Sequence, residues 1–177
     1  MILGLSTTTF TFLHVLASLI GIGSGFVVVL GLIAGKRLPR WTALFLATTI
    51  VTSLTGFLFP FKGFTPAIAL GILSLVMLLL AAIALYAGRL AGAWRGTYVV
   101  TTVLALYFNF FVLIVQLFEK VPALKALAPT RSAPPFKITQ LAALTVFAVL
   151  STLAFKRFRG SPLESAEDWS RDPTNCH

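Results

Sequence analysis

The chain has 177 residues, of which 58% are hydrophobic and 11% are charged, and its mean hydropathy is +0.95. Soluble domains carry about 25% charged residues, so this composition excludes an ordinary soluble domain and indicates a membrane protein. The net charge is +9, but the basic residues lie between apolar segments and not on a face interleaved with aromatic residues, so we expect no nucleic-acid partner. The single cysteine, Cys176, excludes an intrachain disulfide and a multi-cysteine metal site.

Five segments are apolar enough to cross a bilayer as helices, which takes about 20 residues each. They cover residues 8–34, 41–59, 67–87, 97–118 and 138–155. The sequence therefore predicts an all-α, polytopic membrane helical bundle with five transmembrane helices. The first basic residue is Lys36, so the first segment lacks the n-region of a cleaved signal peptide and is expected to remain as a span. Residues 160–177 are polar and are expected to form a mobile cytoplasmic tail.

The distribution of lysine and arginine predicts the orientation of the bundle in the lipid bilayer. With the N-terminus outside, nine of the 14 basic residues lie on the cytoplasmic side and five lie outside. The nine are Lys36, Arg37, Arg40, Arg89, Arg95, Lys156, Arg157, Arg159 and Arg171, and the five are Lys62, Lys120, Lys125, Arg131 and Lys137. The positive-inside rule therefore favours an N-out, C-in topology.

The first segment contains one ionisable side chain, His14, followed by Ala17, Gly21 and Gly25. Residues three, four and seven apart share one face of a helix, so these small residues predict a strip that another helix can approach closely. His14 has three interpretations: an interhelical hydrogen bond to Ser or Thr, a haem or metal ligand, or a contact to a quinone or other ligand. We expect no metal and no cofactor in a single chain, because a bis-histidine haem needs a second membrane histidine and His177 lies at the opposite predicted side.

Threonines form a stripe on the second segment, where Thr48, Thr52 and Thr55 are spaced i, i+4 and i+7. Threonine hydroxyls in membrane helices bond to their own backbone or to a neighbouring helix. The stripe therefore predicts a tight antiparallel hairpin with the first segment, with Thr55 and His14 at similar depth. We expect the three threonines in a polar interior between the helices.

The fourth segment places Thr102, Asn109 and Gln116 seven residues apart, and Glu119 follows one turn later. We expect all four in a polar interior. Asn109 is near the bilayer centre, where an unsatisfied amide is costly, so its partner is another helix, a ligand or water. Between the fourth and fifth segments, residues 121–129 predict one short helix with Pro122 in its first turn.

The first third of the chain is similar to uncharacterised bacterial multi-span membrane proteins that begin with a membrane histidine. The resemblance rests on His14, the glycines behind it, the basic turn KRLPR at 36–40 and the sequence TSLTG at 52–56. It implies a protein of the bacterial inner membrane. Some of these proteins carry a further histidine at the basic turn, where this chain has Pro39 and Trp41.

The leading functional hypothesis is a non-enzymatic accessory or structural membrane protein, as a subunit of a larger complex or a homo-oligomer. The absence of a charged residue deep within any span argues against a coupled pump or exchanger. One alternative is a redox-linked protein that uses His14 as a haem ligand or quinone contact. Another is a small permease or lipid-binding protein with Asn109 and Gln116 lining its site.

Overall fold

The computed structural model describes residues 6–59 and 66–158, and every regular element in these ranges is a helix. The helices are α1 (Thr7–Ile33), α2 (Pro39–Gly56), α3 (Pro66–Ala82) with a π-helical turn at Ile83–Ala87, α4 (Ala93–Lys120), α5 (Pro122–Leu127) and α6 (Pro134–Arg157). The all-α prediction is confirmed for this part of the chain. The predicted mobile tail, residues 160–177, lies outside the described residues.

Four of the described helices are long and apolar enough to span a membrane by length and composition. They are Thr7–Ile33, Ile68–Ala87, Ala93–Lys120 and Pro134–Arg157. α2 is not among them because its threonines and its initial Pro39-Arg40 lower its hydropathy. The chain is therefore a helical membrane protein with four candidate spans in its described part.

Capping residues determine where α1 begins and ends and where α2 begins. The Ser6 hydroxyl accepts a hydrogen bond from the backbone N–H of Thr9 at 3.1 Å and so caps the N-terminus of α1. At the other end, Gly35 has a φ of 72°, and the Lys36 N–H donates to the Gly31 carbonyl at 2.8 Å. This Schellman arrangement stops the helix, and Pro39 at the first turn of α2 starts the next one.

α1 and α2 form an antiparallel hairpin over nearly their whole length. The rings of Phe10 and Phe59 lie 5.2 Å apart at one end, and a Cβ on Gly31 would lie 2.7 Å from Leu38 Cδ1 at the other. The path along α1 from Phe10 to Gly31 covers about 31 Å at 1.5 Å per residue. The sequence prediction of a tight hairpin is therefore confirmed.

α4 is the central helix, since it packs against α1, α3 and α6. Its buried residues Val99, Val103 and Leu106 form the middle of the apolar core, together with Phe45 of α2. Many other apolar side chains, such as Leu79 of α3, point outward and are exposed. This is the arrangement expected where lipid surrounds a helical bundle.

The connection between α3 and α4 has an unusual backbone. The Gly88 N–H donates to the Ile83 carbonyl at 2.8 Å, which is the i to i+5 bond of a π-helix. Arg89 and Leu90 then adopt positive φ angles of 47° and 58°. The Leu90 side chain is buried, so core packing compensates for the strained conformation.

The segment between α4 and α6 folds back onto the end of the bundle. α5 begins at Pro122, as the sequence predicts. Ala128 and Phe136 form a small apolar cluster with Ile114 of α4. This cluster holds the connection against the helices that it joins.

Candidate functional site

Polar side chains meet where α1, α2 and α4 come together, and Gly21 is the residue that lets them meet. A Cβ on Gly21 would lie 3.2 Å from the hydroxyls of both Thr48 and Thr49 and 3.5 Å from Asn109 Nδ2. These distances are shorter than or close to ordinary van der Waals contact. A hydrogen atom in place of a side chain therefore brings the backbone of α1 against polar groups of two other helices.

The small strip continues on both sides of Gly21. A Cβ on Gly25 would lie 2.6 Å from Leu106 Cδ1 and 2.9 Å from the Phe45 ring. Ala17, one turn before Gly21, is half-buried. The strip therefore faces α2 and α4, and it packs against side chains from both.

Asn109 lies at the centre of this junction. Its Nδ2 donates to the Thr49 hydroxyl at 3.3 Å, and both side chains are buried. Within the described ranges, no donor reaches Asn109 Oδ1, and the buried Thr52 Oγ1 also has no hydrogen-bond partner. We call His14, Thr49, Thr52, Thr55 and Asn109 the polar seam.

His14 lies at the end of the polar seam that is nearest the N-terminus of α1. Its Nδ1 lies 2.8 Å from Thr55 Oγ1, and the Thr55 hydroxyl donates to the Val51 carbonyl at 2.6 Å. A hydroxyl has one hydrogen, so we infer that Nδ1–H of His14 donates to Thr55. The lone pair of the neutral imidazole is then on Nε2, which makes no hydrogen bond within residues 6–59 and 66–158. The ring also packs edge-on against Phe59 at 5.2 Å.

Not every residue predicted for the polar interior lies there. Gln116 and Glu119 are exposed on the last turns of α4, and Glu119 accepts from Arg131 Nε at 2.9 Å. Their predicted place in the interior is therefore wrong. A seven-residue spacing drifts by only about 20° around a straight helix, so Gln116 points in nearly the same direction as Asn109. The difference is depth, because both residues lie at a helix end, where water or headgroups can satisfy them.

Thr48 and Thr102 are placed differently from the seam. Thr48 is half-buried, and its hydroxyl donates to the carbonyl of Leu44 at 2.7 Å, within its own helix. Thr102 is buried two turns from Asn109 and does not bond to a seam residue.

The sequence prediction missed two polar contacts between helices. The buried Gln140 of α6 donates from Nε2 to the Phe111 carbonyl of α4 at 3.3 Å. The hydroxyls of Thr42 and Tyr98 lie 3.3 Å apart and join α2 to α4. Gln140 is an amide within a predicted span, which is the signal that identifies Asn109 as well.

The arrangement supplies hydroxyls, one amide and one imidazole, without an adjacent carboxylate. The described part of the chain contains no cluster of three or more His, Cys, Asp or Glu that could hold a metal ion. Comparison of the chain with protein-family models, with curated proteins and with solved structures found no match.

Proposed function

We propose that this protein is a non-enzymatic membrane protein that acts as an accessory or structural subunit of a larger membrane complex. The observation that carries the proposal is that the interior polar side chains form hydrogen bonds to neighbouring helices. His14 bonds to Thr55, Asn109 bonds to Thr49, and Gln140 bonds to a backbone carbonyl. These bonds connect helices, which is the common role of polar side chains in membrane bundles.

A measurement of native mass tests this proposal. The chain would be tagged, expressed at its natural level and extracted in mild detergent, and the particle mass would be compared with 19.1 kDa. The expected result is a larger particle with a fixed stoichiometry of a second membrane polypeptide or of further copies. A folded monomer that carries a small ligand at the polar seam would contradict the proposal.

We further propose that α2 is a fifth span and that the topology is N-out, C-in. α2 has 18 residues, so it is about 27 Å long and runs beside α1 over a distance close to the roughly 30 Å of a bilayer core. Its Thr48 and Thr55 hydroxyls donate to carbonyls of their own helix, which reduces the cost of placing them in lipid. Seven basic residues lie at the end of the bundle that holds the α1–α2 turn, and four lie at the other end of the described part.

Cysteine labelling of spheroplasts tests both statements together. In a Cys176→Ser background, a membrane-impermeant maleimide should label Lys62→Cys and Lys125→Cys in the bacterial inner membrane of spheroplasts. Lys36→Cys should react only after permeabilisation. Labelling of Lys36→Cys and Lys62→Cys on the same side would show that α2 does not cross.

A redox role for His14 is the second candidate, and one observation favours it. Nδ1–H of His14 donates to the Thr55 hydroxyl, so the lone pair of the neutral ring is on Nε2. In metal sites, a hydrogen bond from the ring nitrogen that does not bind the metal orients the histidine ligand in this way. A haem iron would then need a second axial ligand from another copy or another subunit. The permease alternative has no such support, since Gln116 is exposed and Asn109 packs against Thr49.

A visible absorption spectrum of the purified protein, oxidised and then dithionite-reduced, separates these candidates. A Soret band that shifts on reduction, disappears in His14→Ala and persists in His177→Ala would establish the redox role. A flat spectrum from folded protein would remove haem and leave the structural proposal.

A further inference from the structure

One end of the bundle carries basic residues from three segments of the chain. Together we call them the basic rim: Lys36, Arg37 and Arg40 of the α1–α2 turn, Arg89 and Arg95 around the α3–α4 connection, and Lys156 and Arg157 at the end of α6. The one carboxylate in the described residues, Glu119, lies at the opposite end and is paired with Arg131. The basic rim therefore has seven cations and no acidic residue of its own in the described ranges.

Contacts between helices show that the three segments lie side by side. A Cβ on Gly35 would lie 3.8 Å from the carbonyl oxygen of Arg157, which places the end of α6 beside the α1–α2 turn. A Cβ on Gly96 would lie 2.6 Å from the Phe155 ring, which places the start of α4 beside the same part of α6. The basic residues therefore lie on segments that contact one another at one end of the bundle.

The basic rim is at the level expected for lipid headgroups. Trp41 and Trp94 are adjacent in sequence to Arg40 and Arg95, and their side chains are 45% and 42% exposed. Tryptophan favours the boundary between hydrocarbon and headgroups, where its ring lies among lipid carbonyls. The tryptophans therefore place the adjacent guanidinium groups in the headgroup layer.

We propose that the basic rim binds the phosphate groups of anionic phospholipids in the adjacent leaflet. Six of the seven basic side chains are exposed and Arg95 is half-buried, and the described ranges contain no ion pair at this end. Unpaired cations at close range repel one another, and phosphate oxygens remove that repulsion while accepting hydrogen bonds from the guanidinium groups. Because the positive charge is spread over three segments, we expect it to bind several headgroups and not one.

Tryptophan quenching by brominated lipids measures this binding directly. The protein, with Trp169→Phe so that Trp41 and Trp94 are the reporters, would be reconstituted in mixtures of phosphatidylcholine and phosphatidylglycerol with one lipid brominated. The expected relative association constant for phosphatidylglycerol is about fivefold above that for phosphatidylcholine at low salt, and it falls at high salt because ions screen the rim.

Matched variants separate the basic rim from general electrostatics. Arg37→Gln, Arg40→Gln and Arg157→Gln together should bring the ratio close to one, while Lys120→Gln, Lys125→Gln and Lys137→Gln at the opposite end should leave it unchanged. All six side chains are exposed, so both variants should fold, which a thermal unfolding curve checks. A ratio near one in the unaltered rim, or equal losses in both variants, would overturn the proposal.

A last variant tests the other source of negative charge near the rim. Residues 160–177 contain Glu164, Glu167, Asp168 and Asp172. If the lipid preference appeared only after these four were changed to Gln or Asn, the acidic segment and not lipid would be the occupant, and the proposal would be wrong. An unchanged preference in that variant supports lipid binding.

Discussion

Gly25 of α1 lies so close to Leu106 of α4 that a methyl group on Gly25 would be 2.6 Å from Leu106 Cδ1. The Phe45 ring would be 2.9 Å away on the other side. We therefore expect Gly25→Ala to destabilise the bundle by about 1–3 kcal/mol, the usual cost of overpacking. Unfolding in mixed micelles by SDS titration measures this change.

Gly23 is the matched control, because nothing lies within 4 Å of the position of its absent Cβ. Gly23→Ala should be neutral or should stabilise α1 by up to about 1 kcal/mol, since alanine restricts the unfolded chain more than glycine does. Equal stability of the two alanine variants would show that α1 and α4 do not pack closely at Gly25.

The bond between Asn109 and Thr49 should contribute modestly to stability. A double-mutant cycle with Asn109→Leu and Thr49→Val should give a coupling energy of about 0.6–2 kcal/mol, the range for hydrogen bonds between membrane helices. Gln116→Leu on the same helix is the control and should have no coupling to Thr49→Val, because Gln116 is exposed. If Asn109→Leu folds normally but abolishes activity of the complex, Asn109 has a role other than adhesion.

Thr55 and Thr48 allow the His14 bond to be tested with one substitution at each position. Both hydroxyls donate to a carbonyl of their own helix, but Thr55 alone of the two also accepts from His14. Thr55→Val should therefore destabilise by about 1 kcal/mol, while Thr48→Val should change little. The loss of stability caused by Thr55→Val should be different in a His14→Gln background. An equal loss of stability in the two backgrounds would disprove the bond.

The positive φ of Arg89 predicts a stabilising substitution. A side chain in this conformation costs about 1–2 kcal/mol because Cβ approaches a backbone carbonyl. Glycine removes this cost but makes the unfolded chain more flexible, which offsets part of the gain. Arg89→Gly should therefore raise the free energy of unfolding by about 1 kcal/mol. Arg95→Gly removes the same charge from within α4 and should lower stability instead. A thermal unfolding curve of each variant decides between these signs.

The pairing of α1 with α2 was predictable because small residues and hydroxyls recur with helical spacing. Which threonine of α2 contacts α4 was not predictable. Thr48, Thr49 and Thr52 lie close together around α2, and periodicity cannot tell which of them faces α4. The structure selects Thr49, which is fully buried against Asn109. That selection depends on the tilt of three helices, and tilt is set by packing contacts such as those of Gly21 and Gly25.

Gln116 and Glu119 show a second limit of sequence reasoning. Their spacing from Asn109 indicates the direction in which they point, but burial also requires a neighbouring helix at that depth. The last turns of α4 extend to the end of the bundle, where Glu119 pairs with Arg131 of the following connection. Backbone features such as the positive φ of Leu90 leave no trace in composition or periodicity, since leucine ordinarily avoids that conformation.

The π-helical turn at Ile83–Ala87 has a consequence for related sequences of different length. A π-helical turn holds about one residue more than an α-helical turn, so the deletion of one residue here would restore a regular α-helix. Because the extra residue is taken up in the wider turn, the side chains on either side would keep nearly their present directions after such a deletion. Leu78 and Ala81 precede the turn and Leu90 follows it, and all three are buried. A homologue that lacks one residue in this stretch can therefore keep the same core residues on both sides of it.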